Sequence, residues 1–501
     1  MEVEKLETAS EERGLSRFFL QYPVIFLILV TLVVAFSFQG SRGLYESTEG
    51  RYAECARQSL EKDSLDEPLL NGEHHWTKPP LTYYVTAAGF EVLGGNAWGA
   101  RIGLSIAFSL TVLLVGLMAR DVWGKAAAPF CALVYALSPF TAGTSNALST
   151  DVYLTLFEAA AMAFFWRAIA TRKSRYILLM WMAFGAAFLT KGPVALLPLP
   201  AMAILKIYLY QRKEKAPLLL NPLGILLFLG IGASWYVLKI MKYPDLFDYW
   251  FYKEMIGRNL YGAFDRNGEW YKPPMVYGPP ILFGAIPWTL FLLWKHQAIP
   301  WPRGQWRRID TWPHSVQWIY LVSAVVLPLL VLTVARSRLA LYALPLSVPM
   351  SVAIGMGLHY LYAKKALALR SIMITAICML IILTGAKGIG AYVPSAHDMA
   401  RLATAIRPHL EQYPRRQMYV LRQPPLYGLQ FYLKEWPIET VELEKAQDIL
   451  KQAKDSGIPQ IVLVRTRTLR RMEENMDKRV YKVETLTPDW VMVIIGAEAT
   501  S

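Results

Sequence analysis

Long apolar runs alternate with polar stretches over roughly the first 390 residues of the chain. The first run covers Tyr22 to Phe38. A helix that crosses a membrane needs about 20 apolar residues, and further runs near this length lie at 99–119, 126–141, 151–170, 176–190, 193–210, 217–238, 275–294, 316–334, 339–361 and 371–391. With a doubtful segment at 79–94, the pattern predicts an α-helical polytopic membrane protein with about 11–13 transmembrane helices.

The pattern changes after residue 394. Amphipathic helical segments at His397–Tyr413 and Glu442–Ser456 alternate with three short β-rich runs, at 418–422, 461–466 and 490–496. Such alternation is typical of a small α/β domain. We therefore predict a transmembrane domain at 1–394 and a soluble α/β domain at 395–501, which could also be only a stabilising appendage.

Composition agrees with a membrane protein. Hydrophobic residues make up 54% of the chain, whereas soluble domains contain about 45–50%. The formal net charge is +14, but the lysines and arginines cluster between apolar runs, which indicates membrane topology and contact with lipid head groups rather than nucleic-acid binding. The three cysteines, Cys55, Cys131 and Cys378, lie too far apart in sequence to suggest a disulfide framework or a metal cluster.

The positive charges also predict the orientation. If the N-terminus is cytoplasmic and the first run is an uncleaved anchor, the short basic loops all lie on the cytoplasmic side, as the positive-inside rule requires. The opposite, periplasmic side then carries the segments 39–98, 142–150, 191–192, 239–274, 335–338 and everything after about 392.

The first long outer loop contains acids and cations at close spacing. Glu46, Glu49 and Glu54 flank Arg51 at helical intervals. This spacing fits either a surface helix with Glu–Arg pairs or a catalytic acid beside a phosphate-binding arginine. Further along the loop, two prolines follow Lys78 and favour an extended backbone at the lysine. Lys78 could bind a phosphate there, or could simply extend to the membrane surface from a helix end.

The other outer-face segments also carry charged residues. Asp151 could be a catalytic acid or an N-cap, and Lys191 lies at a helix junction. Glu254 and Arg258 are one helical turn apart and could form a surface pair. Arg336, Arg338 and Tyr342 follow in the next outer segment. Because cations are disfavoured on this side of the membrane, their number there suggests a bound polyanion such as a lipid phosphate or pyrophosphate.

Several classes of site are not indicated. His74 and His75 are adjacent and have no third ligand at helical spacing, so they do not suggest a metal site. The chain has no Gly-rich phosphate loop, no HExxH and no GxSxG motif, which argues against a nucleotide-driven pump or a serine hydrolase.

Six short motifs resemble those of the polytopic GT-C glycosyltransferases, in the same order. They are EGRYAECAR at 49–57, WTKPPLTYY at 76–84, STD at 149–151, TKGP at 190–193, EMIGR at 254–258 and SRLALYALPL at 337–346. The resemblance covers about residues 20–390 and is strongest to the aminoarabinose transferases that modify lipid A, which are related to protein O-mannosyltransferases.

The resemblance implies a sugar donor on a polyprenyl phosphate and a lipid or protein acceptor on the periplasmic side. It implies that Lys78, Arg258 and Tyr342 hold the donor phosphate, with Arg51 and Arg338 nearby, and we add Lys191 from the outer-face cations. Asp151, Glu46 and Glu49 are the candidate catalytic carboxylates.

Two departures from the family pattern affect this assignment. Thr48 stands where the family has an acid, so Glu49 or Glu46 must act as the base, or no base is used. The loss of this acid makes a hydroxyl acceptor less plausible than a phosphate acceptor. A hydroxyl group must be deprotonated by a base, whereas a phosphate is already ionised at neutral pH. Some relatives hold a metal with residues at two positions that are Thr77 and Met255 here, so we predict no metal at that site and name no cofactor.

The sequence therefore predicts an inverting glycosyltransferase of the inner membrane, with lipid A or a similar glycolipid as acceptor. The resemblance makes an aminoarabinose-like pentose a candidate for the sugar, and a protein O-glycosyltransferase that uses the same class of donor is an alternative. A flippase for polyprenyl-linked sugars would place its polar residues at mid-membrane depth, and a structural or assembly protein would need no converging cations.

Overall fold

The computed structural model describes residues 14–257, 266–299, 314–435, 437–442, 458–473 and 481–495. The described residues up to 392 are mainly helical. The elements are α1 Leu15–Gln21, α2 Pro23–Phe36, α3 Thr48–Glu61, β1 Leu69–Leu70, β2 Glu73–His74, α4 Leu81–Leu93, α5 Ala97–Trp123, α6 Ala128–Ala136, α7 Pro139–Thr144, α8 Thr150–Thr171, α9 Arg175–Lys191, α10 Leu199–Gln211, α11 Pro222–Phe228, α12 Ser234–Lys242, α13 Leu246–Asp248, α14 Lys272–Leu282, α15 Trp288–Trp294, α16 Ser315–Val334, α17 Ser347–Ala363 and α18 Leu369–Tyr392. Two π-helices, Leu229–Ala233 and Tyr249–Gly257, and three 3-10 helices, Gly192–Leu196, His296–Ala298 and Ala340–Leu346, connect some of them.

Seven helical segments among the described residues are long and apolar enough to cross a membrane. They are Ala97–Trp123, Thr150–Thr171, Arg175–Leu196, Pro222–Lys242, Ser315–Val334, Ala340–Ala363 and Leu369–Tyr392. An eighth span is possible if α1 and α2, which are bent by 111° at their junction, cross together. The prediction of an α-helical polytopic membrane protein is confirmed.

Prolines explain why several predicted spans are built from shorter helices. The predicted run 126–141 contains α6 and α7, and Pro139 begins the second of these helices. The run 275–294 contains α14 and α15, with Pro279 and Pro280 inside α14 and Pro287 just before α15. Proline lacks the amide hydrogen of a regular helix and collides with the preceding turn, so an apolar run does not guarantee one continuous helix.

Contact clustering divides the chain into two compact units. The first consists of Met1–Ser37, Trp76–Thr82 and Gly103–Gly388. A large apolar core fills it, and small residues bring its helices together: a Cβ added at Gly232 would lie only 2.8 Å from the carbonyl oxygen of Gly185. Close backbone approach at glycine is a common way to pack membrane helices, which have no hydrophobic driving force between them.

The second unit consists of Phe38–His75, Tyr83–Ile102 and Ile389–Ser501. Its C-terminal elements are α19 Met399–Leu410, β3 Gln417–Leu421, α20 Tyr427–Leu433, β4 Glu439–Val441, β5 Gln460–Arg465, α21 Thr466–Glu473, β6 Tyr481–Thr487 and β7 Trp490–Ile495. The strands form one sheet in the order β4-β3-β5-β7-β6. In this sheet β4, β3 and β5 pair in parallel, and β7 pairs antiparallel with both β5 and β6.

The predicted C-terminal α/β domain is confirmed in its main elements. The three β-rich runs form β3, β5 and β7, and the first amphipathic segment forms α19. Apolar clusters cover both faces of the sheet. The second predicted helix, at Glu442–Ser456, lies outside the described residues after its first position, and the boundary between 394 and 395 stays a prediction.

The second unit also ties the first outer loop to the C-terminal elements. Asp398 caps α19 by accepting hydrogen bonds from Ala400 and Arg401 amides at 3.0 and 3.3 Å, and its other oxygen accepts from the amide of Gly43 at 3.2 Å. An N-cap aspartate satisfies amides that a helix leaves unpaired. Here the same side chain also holds the start of the outer loop.

Candidate active site

The segment that precedes Lys78 is fastened to the π-helix Tyr249–Gly257. The indole nitrogen of Trp250 donates to the carbonyl oxygen of Trp76 at 2.8 Å, and the hydroxyl groups of Thr77 and Tyr249 lie 3.4 Å apart. The rings of Trp76 and Trp250 meet edge to face, with 6.3 Å between their centroids. Two motifs that are more than 170 residues apart in sequence therefore meet in the first unit.

Lys78 lies beside an acid of the same π-helix. Its ammonium nitrogen is 4.0 Å from Oε2 of Glu254, and the two side chains are 16% and 11% exposed. This distance is too long for a direct hydrogen bond, so the pair is held by charge alone. Arg258, four residues after Glu254, lies outside the described residues.

A second cluster in the same unit joins Asp151, Lys191 and Tyr342. Lys191 donates a short hydrogen bond to the carboxylate of Asp151 in the first turn of α8; Asp151 is buried and Lys191 is only slightly exposed. The same ammonium lies 4.0 Å above the ring centre of Tyr342. The structure thus brings together one predicted catalytic acid and two predicted phosphate-binding residues. The single site that would also include Lys78 and Arg258 stays a prediction.

Arg338 is buried and donates to backbone carbonyls. Its guanidinium binds the carbonyl oxygens of Asn267 at 2.6 Å, Glu269 at 2.9 Å and Thr333 at 3.0 Å. The backbone amide of Arg338 also donates to the carbonyl of Arg266 at 2.8 Å. These contacts hold the segment 266–269, which follows Arg258 in the chain.

Glu49 lies in a closed ion-pair network of the second unit. Its carboxylate accepts from Arg101 at 2.9 and 3.0 Å, from Arg42 at 2.6 Å and from the amide of Tyr45 at 3.0 Å. Burial alone would raise the pKa of Glu49, but the two arginines outweigh burial and lower the pKa to about 2. Such a carboxylate is a very weak base at neutral pH.

Glu46 has the opposite surroundings. One carboxylate oxygen accepts a short hydrogen bond from the amide of Gly428, and the other is buried without a hydrogen-bond partner among the described residues. Burial raises the pKa of Glu46 to about 8, although the amides of Gly428 and Leu429 and the charge of Arg51 oppose the shift. The guanidinium carbon of Arg51 lies 5.6 Å from the ring centre of Tyr52.

Thr77 and Met255, the two positions at which we predicted no metal ligand, both lie in the first unit. Thr77 contacts Tyr249 through its hydroxyl group, and Met255 is 37% exposed on the π-helix. Within the described ranges, no group of three or more His, Cys, Asp or Glu side chains is placed to hold a metal ion.

Three charged residues that are buried or largely buried, Arg42, Arg101 and Glu158, were missed by the sequence reasoning. Arg42 and Arg101 both donate hydrogen bonds to Glu49. Neither contact has a helical or strand spacing in the sequence that would predict it. Glu158 lies in α8, is 2% exposed and lines a cavity together with Lys191 and Tyr342. A carboxylate inside an apolar run is costly unless it has a role, so Glu158 could have been found from the sequence.

Comparisons with known proteins support the family resemblance. The sequence model of the family described as dolichyl-phosphate-mannose-protein mannosyltransferase matches residues 77–236. An undecaprenyl phosphate-alpha-4-amino-4-deoxy-L-arabinose arabinosyl transferase from Erwinia tasmaniensis is 30% identical over 62% of this chain and 55% of its own length. One from Pseudomonas savastanoi is 29% identical over 65% of this chain and 59% of its own length. The chain therefore spans less than two thirds of these curated relatives.

A solved structure shows the same fold. The crystal structure of ArnT from Cupriavidus metallidurans bound to undecaprenyl phosphate superposes with a TM-score of 0.73 over 94% of this chain and 97% of that chain, at 20% sequence identity. Together with the seven apolar helical segments, this likeness of fold supports a multi-pass membrane protein. The chain thus has the fold of the GT-C glycosyltransferases, and its sequence resembles those of the aminoarabinose transferases.

Proposed function

We propose that this protein transfers a sugar from a polyprenyl-phosphate donor to a lipid acceptor at the outer face of the inner membrane. The observation that carries the proposal is the placement of Lys78 at 4.0 Å from Glu254, on the helix that leads to Arg258. This contact joins the motif at 76–84 to the motif at 254–258, both of which resemble motifs of the transferase family. In the proposed reaction, Lys78 exchanges Glu254 for the donor phosphate. The relatives named above use an undecaprenyl-phosphate sugar by name.

The proposed reaction inverts the anomeric carbon of the sugar. An acceptor oxygen attacks this carbon as its bond to the phosphate oxygen breaks, and the bonding electrons leave with polyprenyl phosphate. Lys78, Arg258 and Tyr342 bind the phosphate and stabilise the charge that grows on it. Preorganised cations of this kind are commonly the largest contribution to catalysis, so stabilisation of the leaving group matters more here than base catalysis.

The carboxylates divide into different proposed roles. Glu49 positions the loop through Arg42 and Arg101, because its oxygens are occupied and its pKa is about 2. Glu46 is the better candidate for a base, since a pKa of about 8 lies near the pH at which a base must gain and lose a proton. An acceptor that attacks through a phosphate oxygen needs neither Glu46 nor Glu49 as a base, because the phosphate is already ionised.

Asp151 and the remaining cations support the donor site. Asp151 orients Lys191, and Lys191 contacts the ring of Tyr342. Arg338 is a positioning residue, because it holds the backbone of the segment after Arg258. Arg51, next to Tyr52, completes the set of cations that we assign to the donor phosphate.

The proposed orientation places these residues in the periplasm. The N-terminus and the short basic loops face the cytoplasm, as the positive-inside rule expects. The outer loop that carries Glu46 to Lys78 and the C-terminal sheet face the periplasm. Accessibility labelling of single cysteines in intact cells tests this orientation, and a cysteine at Arg422 that reacts only after the membrane is permeabilised would contradict it.

Reconstituted transfer tests the function directly. The purified full-length protein in lipid nanodiscs receives undecaprenyl-phosphate aminoarabinose together with lipid A, and mass spectrometry follows the acceptor. We expect the acceptor to gain the sugar mass while undecaprenyl phosphate is released. Donor that crosses liposomes without chemical change would instead indicate a flippase.

A protein acceptor is the second candidate, because the family model that matches residues 77–236 describes a protein mannosyltransferase. Mass spectrometry of lipid A, total glycolipids and envelope proteins from a deletion strain separates the two. Loss of a protein glycan with unchanged glycolipids would replace the lipid acceptor by a protein.

A further inference from the structure

Two arginines from different membrane-spanning helices share one acid in the first unit. Oδ1 of Asp121, near the end of α5, accepts a hydrogen bond from Arg167 of α8 at 2.9 Å. The same oxygen accepts from the neighbouring Arg120 at 3.4 Å. The side chain of Asp121 is 7% exposed, while those of Arg120 and Arg167 are 35% and 37% exposed. A largely buried acid therefore holds two accessible guanidinium groups beside each other.

Tyr176 adds a third arginine to this cluster. Arg175, the first residue of α9, donates to the hydroxyl group of Tyr176 at 3.1 Å. The ring centre of Tyr176 lies 5.0 Å from the guanidinium carbon of Arg175 and 5.8 Å from that of Arg167. Two further exposed cations, Arg172 and Lys173, lie in the loop that joins α8 to α9. The ends of α5, α8 and α9 thus bring three arginines together.

The positive charge of the cluster exceeds its negative charge. Within the described ranges, Asp121 is the one acid that forms an ion pair with these arginines. Three arginines against one acid leave an excess of two positive charges. The positive-inside rule explains why cations gather at this side of the membrane. It does not explain why a largely buried acid and a tyrosine hold three of them together. Arginine donates paired hydrogen bonds to phosphate oxygens, so the cluster suits a phosphate-bearing ligand.

An exposed apolar face of α5 leads to the cluster. Ile106, Leu113 and Arg120 follow one another at intervals of seven residues, which places them on nearly the same face of the helix. Ile106 is 49% exposed and Leu113 is 55% exposed. Arg120 lies about 10 Å along the helix from Leu113. Lipid chains are as apolar as leucine, so this face can contact the chains of a lipid whose head group lies at the arginines. A soluble phosphate ion would gain nothing from it.

We propose that Arg120, Arg167 and Arg175 form a binding site for an anionic phospholipid, with its phosphates on the arginines and its chains along α5. A lipid with two phosphodiester groups, such as cardiolipin, matches the excess of two charges. Basic clusters between membrane helices are known to bind such head groups. The inference does not rest on the proposed function. The bound lipid links the ends of α8 and α9, whose opposite ends carry Asp151 and Lys191.

Native mass spectrometry of the full-length protein, titrated with cardiolipin in detergent, tests the site. One arginine near a membrane surface strengthens binding to an anionic head group about fivefold. The double variant Arg167→Gln and Arg175→Gln should therefore bind cardiolipin about 30-fold more weakly than the wild type. Arg175→Gln alone, at an exposed position, should weaken binding about fivefold without disturbing the pair with Asp121.

A charge-matched control makes the result specific. The double variant Lys213→Gln and Lys215→Gln removes two exposed charges from the loop that joins α10 to α11 and should bind cardiolipin like the wild type. Equal weakening in both double variants would overturn the proposal, because it would indicate diffuse attraction to a basic surface. Equal binding of cardiolipin and the zwitterionic phosphatidylcholine to the wild type would also overturn it.

Inorganic phosphate distinguishes a lipid site from a site for a free ion. Added at the same concentration as cardiolipin, it should not displace the lipid, because it lacks chains that contact α5. Displacement by inorganic phosphate would assign the three arginines to a soluble anion and contradict the lipid site.

Discussion

Two ion-pair clusters that begin in the same outer loop have very different geometry. In the second unit, Glu49 is held by Arg42 at 2.6 Å and by Arg101 at 2.9 Å, and the side chain of Arg101 is 0% exposed. In the first unit, Lys78 lies 4.0 Å from Glu254, and both side chains keep some exposure. The first cluster is closed by direct hydrogen bonds, and the second is held by charge alone.

The difference separates stabilising residues from ligand-binding ones. A carboxylate that accepts several short hydrogen bonds from buried arginines cannot release them without leaving charges unpaired in the interior. Lys78 and Glu254 lie 4.0 Å apart, too far for a direct hydrogen bond between them, so this ion pair is more easily exchanged for a phosphate. We therefore propose that the motif that contains Glu49 shapes the loop, and that the motif that contains Lys78 binds the donor phosphate.

Replacing Glu49 should cause the largest loss of stability. In Glu49→Ala, Arg101 stays buried without its carboxylate, and removing one partner of a buried pair costs about 3–5 kcal/mol. We expect a much lower thermal unfolding midpoint and a lower yield of monodisperse protein in size-exclusion chromatography. The exposed Glu91→Ala serves as the control. A Glu49→Ala protein that unfolds at the wild-type temperature would show that the network is not stabilising.

Replacing Lys78 should instead reduce activity with little loss of stability. Removing one group that stabilises transition-state charge typically lowers kcat by about 100- to 1,000-fold. We expect a loss of this size in sugar transfer by Lys78→Ala, with an unfolding midpoint close to that of the wild type, because an ion pair as long as that with Glu254 contributes little to stability. Lys62→Ala changes an exposed lysine of the same loop and should transfer at the wild-type rate.

The contrary result for Lys78 is equally clear. If Lys78→Ala transfers sugar normally but unfolds at a lower temperature, Lys78 is a structural residue and the comparison with Glu49 fails. Arg258→Ala, on the other side of the same motif, provides an independent check, since both cations are proposed to hold one phosphate and should give similar losses.

Much of the fold follows from local sequence patterns. Apolar length predicts the membrane helices, and the three apolar runs after residue 394 form β3, β5 and β7. Strands β4 and β6 were not predicted, because both carry several exposed positions and lack a continuous apolar run. The π-helix at Tyr249–Gly257 was predicted only as an amphipathic stretch, since one extra residue per turn leaves no clear periodic signal.

The sequence alone could identify several residues of the candidate site, but it could not predict what each of them contacts. Cations are disfavoured in the segments predicted to lie on the outer face, which marks Lys78, Lys191 and Arg338 as unusual. Only the structure shows that Arg338 binds carbonyl oxygens. The partner of Glu49 is 52 residues away in the next apolar run. Long-range pairing of this kind depends on how helices pack, and a single sequence does not encode it in any local spacing.

Glu46 lies three residues before Glu49, and replacing it should have a smaller effect on stability. The effect should depend on pH with a sign opposite to that expected for Glu49. The pKa of Glu46 is about 8 in the folded protein, against an ordinary value of 4.5. Between these values the unfolded chain releases a proton that the folded protein keeps, so stability falls as pH rises by at most about 1.4 kcal/mol per pH unit. Below the lower value and above the higher one, Glu46 adds no further pH dependence.

Glu46→Gln removes this titration while its side-chain oxygen can still accept the hydrogen bond from the amide of Gly428. We therefore expect the unfolding midpoint of the variant to gain on that of the wild type as pH rises from about 5 to 8, and to stop gaining above that range. Glu49 should show the reverse sign, because its pKa is lowered and its ion pairs stabilise the fold only while it is ionised. A midpoint difference for Glu46→Gln that does not change with pH would mean that Glu46 is ionised in the fold, and the contrast between the two acids of this loop would then be lost.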